Sequence, residues 1–246
     1  MTITVAQITD SHVKRERGEG EGSPDEMLRR AIALVADAQP DVLLLTGDIA
    51  DDGSAEAYQR VAEAVSGLGV PVLATAGNHD DPAVVAQVLG AADELSVGGW
   101  RLLLVDTSIP ATEWGRIDVP ALLARLGPTD GPPTVLALHH PPITTSTHPW
   151  MRLEGADELV AALSARGDVR VVLSGHLHEA FNVALGGVSY IGCSSSFYSI
   201  KHRNSQFILD DGHVGALLLS LGSEGDFKWR RLPDPYETST VLGPFE

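Results

Sequence analysis

Val70-Pro71-Val72-Leu73-Ala74-Thr75-Ala76-Gly77-Asn78-His79-Asp80 runs from an apolar stretch straight into a glycine, an amide, an imidazole and a carboxylate. The apolar part reads as a buried strand, and polar residues just past such a strand are where an open α/β sheet holds its chemistry. Gly77 lets the backbone turn sharply there. By itself the tetrapeptide is also ordinary turn chemistry, since Asp81-Pro82 reads as an N-cap and a first helical residue. Its meaning depends on what the other strand ends carry.

Four more segments are built the same way. Thr4-Val5-Ala6-Gln7-Ile8 reads as a first strand and delivers Asp10-Ser11-His12, whose spacing places both side chains on one side of an extended segment, able to grip one ion. Asp41-Val42-Leu43-Leu44-Leu45-Thr46 is a continuously apolar strand, a sign of burial on both faces, and ends in Gly47-Asp48. Thr134-Val135-Leu136-Ala137-Leu138 delivers His139-His140-Pro141-Pro142, and the prolines stop the strand. Val169-Arg170-Val171-Val172-Leu173 leads to Gly175-His176-Leu177-His178. A strand over Trp100 to Asp106 also ends in an acid, but Asp106 lacks a neighbouring His or Gly-Asp and reads as structural.

Helices lie between these strands. Ser23-Pro24-Asp25-Glu26 caps and opens one that carries Leu28, Ile32 and Val35 at helical spacing. Others are expected over Ser54–Ser66, Pro82–Leu89, Val119–Leu126 and Ala156–Arg166. This alternation implies parallel strands with right-handed crossovers. From Phe181 the pattern turns antiparallel, with hairpins expected within Val183–Tyr190 and Phe207–Val214 and strands over Ala216–Leu221 and Lys228–Arg231. The expected architecture is α/β, one domain at 1–232 with two sheets and helices outside, then a polar, proline-bearing tail at 233–246. Lys14 to Gly22 is a charged, glycine-rich loop, and Ile143 to Gly155, with Trp150, is placed to overhang a site.

The 246 residues suffice for one large domain with a substantial core. Lys plus Arg number 17 against 33 Asp plus Glu, a formal net charge of −16. Such a surface repels polyanions, so neither a nucleic-acid polymer nor a membrane is an expected partner. A small anionic substrate stays open provided a bound metal pair reverses the sign locally. No apolar run is long enough to cross a bilayer and no basic-then-apolar leader precedes the first strand, so a cytoplasmic location is expected. The lone Cys193 can form no intramolecular disulfide and sits among small residues, which suits packing.

Together the strand ends carry Asp10, His12, Asp48, Asn78, His79, His139, His176 and His178. Two carboxylates, an amide oxygen and several imidazoles, with no thiolate, form a donor set suited to Mn, Fe or Zn. Seven or eight donors are too many for one ion. They suit two divalent or mixed-valence ions about 3.5 to 4 Å apart, bridged by one carboxylate.

Asp10-x-His12, Gly47-Asp48, Gly77-Asn78-His79-Asp80, His139-x-Pro141 and Gly175-His176-x-His178 resemble, in this order, the motifs of the calcineurin-like metallophosphoesterases, over about residues 3 to 220. Gln7-Ile8-Thr9-Asp10, Asp48-x-Ala50 with Tyr58 downstream, and His139-His140-Pro141-Pro142 further resemble the bacterial class III 3′,5′-cyclic AMP phosphodiesterases. The resemblance implies a four-layer αββα sandwich of two mixed sheets flanked by helices. It implies Asp10, His12 and His178 on one metal, Asn78, His139 and His176 on the other, and Asp48 bridging, with His140 orienting its loop. His79 is then no ligand: it reaches the phosphate, stabilising its charge or protonating the leaving oxygen. Asp80 either orients His79 in that catalytic role or closes the turn before the next helix. His12, Asp48, Asn78, His79 and His178 would border the substrate.

The implied reaction is hydrolysis of a small anionic phosphodiester, 3′,5′-cyclic AMP to 5′-AMP foremost, by in-line attack of a metal-bridging hydroxide. The alternatives are a glycerophosphodiesterase or phosphomonoesterase of the same fold, or a scaffold without catalysis. Relatives of this kind also suggest a homodimer through an exposed edge beyond Tyr190, which nothing in the residues demands.

Overall fold

The computed structural model describes residues 2–210 and 215–232. In its first half, parallel strands β1 (Ile3–Ile8), β2 (Val42–Thr46) and β3 (Val72–Thr75) are connected through helices α1 (Pro24–Asp37) and α2 (Ala55–Ser66), and α3 (Pro82–Leu89) follows. Next come β4 (Glu94–Val97), β5 (Trp100–Val105), the two-residue β6 (Gly115–Arg116), α4 (Val119–Leu126), β7 (Thr134–Leu138) and the two-residue β8 (Leu153–Glu154). Helix α5 (Ala156–Ser164) precedes β9 (Val169–Ser174), β10 (Phe181–Leu185), β11 (Val188–Gly192), β12 (Ser199–Arg203), β13 (Gln206–Asp210), β14 (Ala216–Leu221) and β15 (Phe227–Leu232).

These strands form a five-stranded sheet ordered β15-β14-β1-β2-β3 and a six-stranded sheet ordered β10-β11-β9-β7-β5-β4, both mixed. Alternation along the strands explains the layering. Val5, Val42, Leu44 and Leu73 of the first sheet pack against Leu102, Leu104, Val135 and Leu173 of the second. Ala6, Ile8, Leu43 and Leu45 point the other way, onto Leu28 and Val35 of α1 and Val61 of α2. On the far side Leu136 and Leu138 meet Leu122 of α4 and Leu159 and Leu163 of α5. The order is therefore helices, sheet, sheet, helices, the expected α/β four-layer sandwich. β2 and β7 are buried at every position because each is a central strand covered on both faces.

The caps act as their residue types suggest. Ser23 accepts from the Glu26 amide, Asp81 from Ala83 and Val84, and Asp118 from Ala121. The hairpin within Val183–Tyr190 turns at Gly186-Gly187, with φ of 59° and 80°, as a two-residue hairpin turn of this kind requires. Helix α5 stops at Ser164, two residues before its expected end, because Arg166 leaves the helix to pair with Asp168 and donate to the Gly127 and Pro128 carbonyls. Phe207–Leu209 form the second strand of a hairpin whose turn is at Asn204-Ser205. The far part of the hairpin expected within Phe207–Val214, residues 211–214, lies outside the described residues, as does the tail at 233–246. Among the described residues no helix is long and apolar enough to cross a membrane.

Candidate metal centre

The C-terminal ends of β1, β2, β3, β7 and β9 open onto one seam between the sheets. Below it the buried Gln7 amide donates to Thr46 Oγ1 and to the Ser174 carbonyl, tying the two sheets together. The chain then bends abruptly. Asp10, His12, Asp48, His176 and His178 all adopt left-handed backbone, with φ from 46° to 68°. For residues with a Cβ this costs about 1–3 kcal/mol each, and such strain is held in place only by its surroundings. Here the Asp10 amide donates to the Gly47 carbonyl and the His12 amide to the Asp48 carbonyl. Asp10 and His12 thus converge through left-handed turns, not through the extended spacing expected from the sequence. The loops also touch: a Cβ on Gly77 would collide with the Asp48 carboxylate.

Each imidazole has one nitrogen committed. His12 Nδ1 pairs with Asp51 Oδ1 at 3.1 Å, His139 Nδ1 donates to the Thr46 carbonyl at 2.9 Å, and His178 Nδ1 donates to the Tyr198 carbonyl at 2.9 Å. His176 is reversed, its Nε2 donating to the Trp150 carbonyl at 3.0 Å. The remaining nitrogens, Nε2 of His12, His139 and His178 and Nδ1 of His176, are the ones that would offer lone pairs to bound ions. His12 Nε2 and His178 Nε2 face each other at 3.1 Å, an arrangement of two acceptors that a cation satisfies. Donor atoms of Asp10, His12, Asp48 and His178 lie within 4.8 Å of one another. His139 Nε2 adjoins Asn78 Oδ1 at 3.3 Å and Asp48 Oδ2 at 3.3 Å. The donor set therefore fits a dinuclear metal centre.

The electrostatics agree. Burial opposes ionisation of Asp48, yet His139 and His12 hold its carboxyl well below the usual range, and His178 outweighs burial in the same way at Asp10. Burial also opposes charge on His139, but Asp48 lifts it to about 9. His176 is pushed down to about 4 by burial and by His139 beside it. Two buried carboxylates thus stay ionised by leaning on imidazoles, the balance that cations would replace.

A family model described as calcineurin-like phosphoesterase matches residues 3–180, the span that holds every one of these donors. The chain belongs to the calcineurin-like phosphoesterases. It is 34% identical to a probable cyclic nucleotide phosphodiesterase of Synechococcus sp., over 94% of this chain and 91% of that one. It is 30% identical to the 3′,5′-cyclic adenosine monophosphate phosphodiesterase CpdA of Pseudomonas aeruginosa, over 91% of this chain and 87% of that one. Among solved structures, a dimetal phosphatase from Danio rerio shares the fold with a TM-score of 0.65 at 15% identity, covering 88% of this chain and 98% of that one. This phosphoesterase is accordingly a hydrolase.

Around the donors, the phosphoesterase uses residues that the sequence did not single out. Asp51 accepts from His12 at its carboxylate, and its main-chain carbonyl pairs with His79 Nδ1 at 3.0 Å. Its position three residues after Asp48 was the available signal. Asp80, one of whose two expected roles was to orient His79, does not contact that ring among the described hydrogen bonds. It accepts instead from the amides of Ile49, Ala50 and Gly77 and from the Tyr58 hydroxyl, pinning the β2 and β3 loops together. The turn-closing role is the one its contacts support, and the group next to His79 is Asp51. Replacing Asp80 with Ala leaves four donors without this acceptor, so we expect a loss of roughly 3 kcal/mol or more in chemical denaturation. His140 pairs through Nδ1 with Thr107 Oγ1 at 2.8 Å, and burial with His176 and His139 nearby pushes its pKa well down. Its donor atom lies within 4.8 Å of those of His139 and His176, and the Thr107 bond suits its expected orienting role.

A cavity of about 190 Å³ sits over the centre, bordered by His12, Asp48, Asn78, His79 and His178, the residues expected to face substrate. Glu113, Trp150, Tyr198 and Phe207 are also part of its wall. A larger cavity of about 860 Å³ lies between the charged loop and α1, but its lining includes none of the strand-end donors and its Arg60 and Arg30 are paired with Asp25 and Glu26. The smaller one is lined by His12, Asp48, Asn78, His176 and His178 of the donor set.

Proposed function

We propose that this phosphoesterase hydrolyses a small phosphodiester, 3′,5′-cyclic AMP foremost, giving 5′-AMP at a dinuclear centre. Asp10, His12 and His178 would hold one ion, Asn78, His139 and His176 the other, and Asp48 both. The observation that carries this reading is a single oxygen. Asp48 Oδ1 accepts the His79 amide at 3.0 Å, which leaves Oδ2 between the two sets, 3.8 Å from His12 Nε2 and 3.3 Å from His139 Nε2. When bound, two ions such as Mn, Fe or Zn would supply Lewis acidity, generating hydroxide near neutral pH and offsetting charge on the phosphoryl oxygens.

The chain's own contribution to the displacement lies with His79. Its Nδ1 is engaged by the Asp51 carbonyl, and the half-exposed ring borders the cavity, so Nε2 is the atom that faces substrate. As the new P–O bond forms and the P–O3′ bond breaks, the doubly protonated His79 ring would pass its Nε2 proton to O3′ and relax to the neutral tautomer whose Nδ1–H the Asp51 carbonyl accepts. The cavity, about 190 Å³, is smaller than the usual range for drug-sized ligands, about 300–1,000 Å³, so the phosphodiester fits inside and the rest of the substrate lies against the rim. Trp150, Tyr198 and Phe207 on that rim offer faces on which a base can stack, worth about 1–3 kcal/mol per base. The names carried by the relatives at 34% and 30% identity support the same substrate class.

The test is a panel of 3′,5′-cyclic AMP, cyclic GMP, a glycerophosphodiester and an aryl monoester, incubated with Mn²⁺-loaded protein and read by product identity. Cyclic AMP should yield 5′-AMP as the sole nucleotide, with kcat/KM at least about tenfold above the monoester, some 1.4 kcal/mol of discrimination. A chelator should abolish turnover. Preference for the monoester, or turnover that survives chelation, overturns the reading.

A further inference from the structure

Asn78 differs from the other donors in one respect. A carboxylate offers oxygen either way round, and an imidazole committed at one nitrogen offers the other, but a primary amide has oxygen on one side and two N–H donors on the other. Turned over, it would present hydrogen where an ion needs a lone pair. Its orientation must therefore be set from outside. Oδ1 faces the centre, 3.3 Å from His139 Nε2, and Nδ2 donates to Glu113 Oε2 at 3.2 Å. An ionised carboxylate only accepts, so the amide can meet Glu113 solely with its NH₂ group.

Glu113 is not at a strand end of the kind that carries the donors. It lies between β5 and β6, in the segment where Asp106 spends its carboxylate on Ser108, and it reaches the cavity wall beside Asn78 and His79. A carboxylate there repels an anionic phosphodiester, and among the described residues no Lys or Arg forms an ion pair with it. Substrate binding gives no reason for its charge, whereas the amide does. We propose that Glu113 is the positioning residue of the second ion site, fixing Asn78 with its oxygen turned inward. The inference rests on the dinuclear reading above.

The test uses the full chain, stripped by chelator and titrated with Mn²⁺ while the free ion is followed by electron paramagnetic resonance. Wild type should take two ions. Glu113→Ala should bind the first normally and the second about 10- to 100-fold more weakly, the usual cost of losing a partner that orients a ligand. Glu113→Gln should bind the second ion more tightly than Glu113→Ala, because its carbonyl can still accept from Nδ2 in one of its two orientations, and should lower KM for the diester because a negative charge has left the cavity wall. Thermal melting of the stripped proteins checks that both variants fold. Two tight ions in Glu113→Ala, or a second ion bound no more tightly in Glu113→Gln than in Glu113→Ala, overturns the assignment. Wild type that binds fewer than two ions instead overturns the dinuclear reading beneath it.

Discussion

Asp48→Asn should leave the chain folded and strip it of both ions at once, lowering kcat/KM by at least about 10³-fold, or some 4 kcal/mol of transition-state stabilisation. The size of the effect follows from how the two carboxylate oxygens are divided. Oδ1 accepts the His79 amide, and Oδ2 stands between His12 and His139. An amide in its place has one oxygen for two acceptor positions. With NH₂ toward the His79 amide, two donors collide; with NH₂ toward the imidazoles, donors point at the place of the ions. Neither orientation is tolerated. Crowding blocks escape, since Gly77 packs so closely that a Cβ there would meet the carboxylate. Elemental analysis of the purified variant, with circular dichroism to confirm folding, is the measurement. Two ions retained, or activity within tenfold of wild type, refutes the shared-oxygen arrangement.

The parts of this site legible in the sequence are those written in side-chain type and spacing. Central strands such as β2 and β7 announce themselves as unbroken apolar runs because both faces are buried, and the residues that follow them carry the chemistry. Two kinds of feature escaped. Edge and rim elements lack the pattern: β4 is partly exposed at every position, and β6 and β8 are two residues each, too short for alternation to exist. The second kind is backbone. Left-handed φ at Asp10, His12, Asp48, His176 and His178 leaves no mark in the letters, although Asp and His tolerate it better than most residues. The carbonyls of Thr46, Trp150 and Tyr198, which fix the His139, His176 and His178 tautomers, belong to residues whose side chains have nothing to do with that task. The choice between the two expected roles of Asp80 is invisible in the letters for a related reason: adjacency in sequence to His79 suggests partnership, while the turn directs its carboxylate toward the Ile49, Ala50 and Gly77 amides.

His79→Ala should behave differently from Asp48→Asn. His79 is in neither of the two fully buried donor groups, meeting only His12 and Asp51 at their exposed edge, and its Nδ1 is engaged by the Asp51 carbonyl, so both ions should remain bound. What is lost is the proton at Nε2. General acid catalysis contributes typically about 10²- to 10⁴-fold, and kcat for 3′,5′-cyclic AMP should fall within that range while KM changes little. Leaving-group chemistry then separates proton donation from simple charge stabilisation. The ribose 3′ oxygen is a strongly basic leaving group and needs the proton as the P–O bond breaks; a nitrophenolate departs as an anion. An aryl phosphodiester should therefore lose much less rate in His79→Ala than cyclic AMP does. Equal losses on both substrates would assign His79 to charge stabilisation at the phosphoryl oxygens, and loss of an ion, or an unchanged kcat, would remove it from the chemistry proposed here.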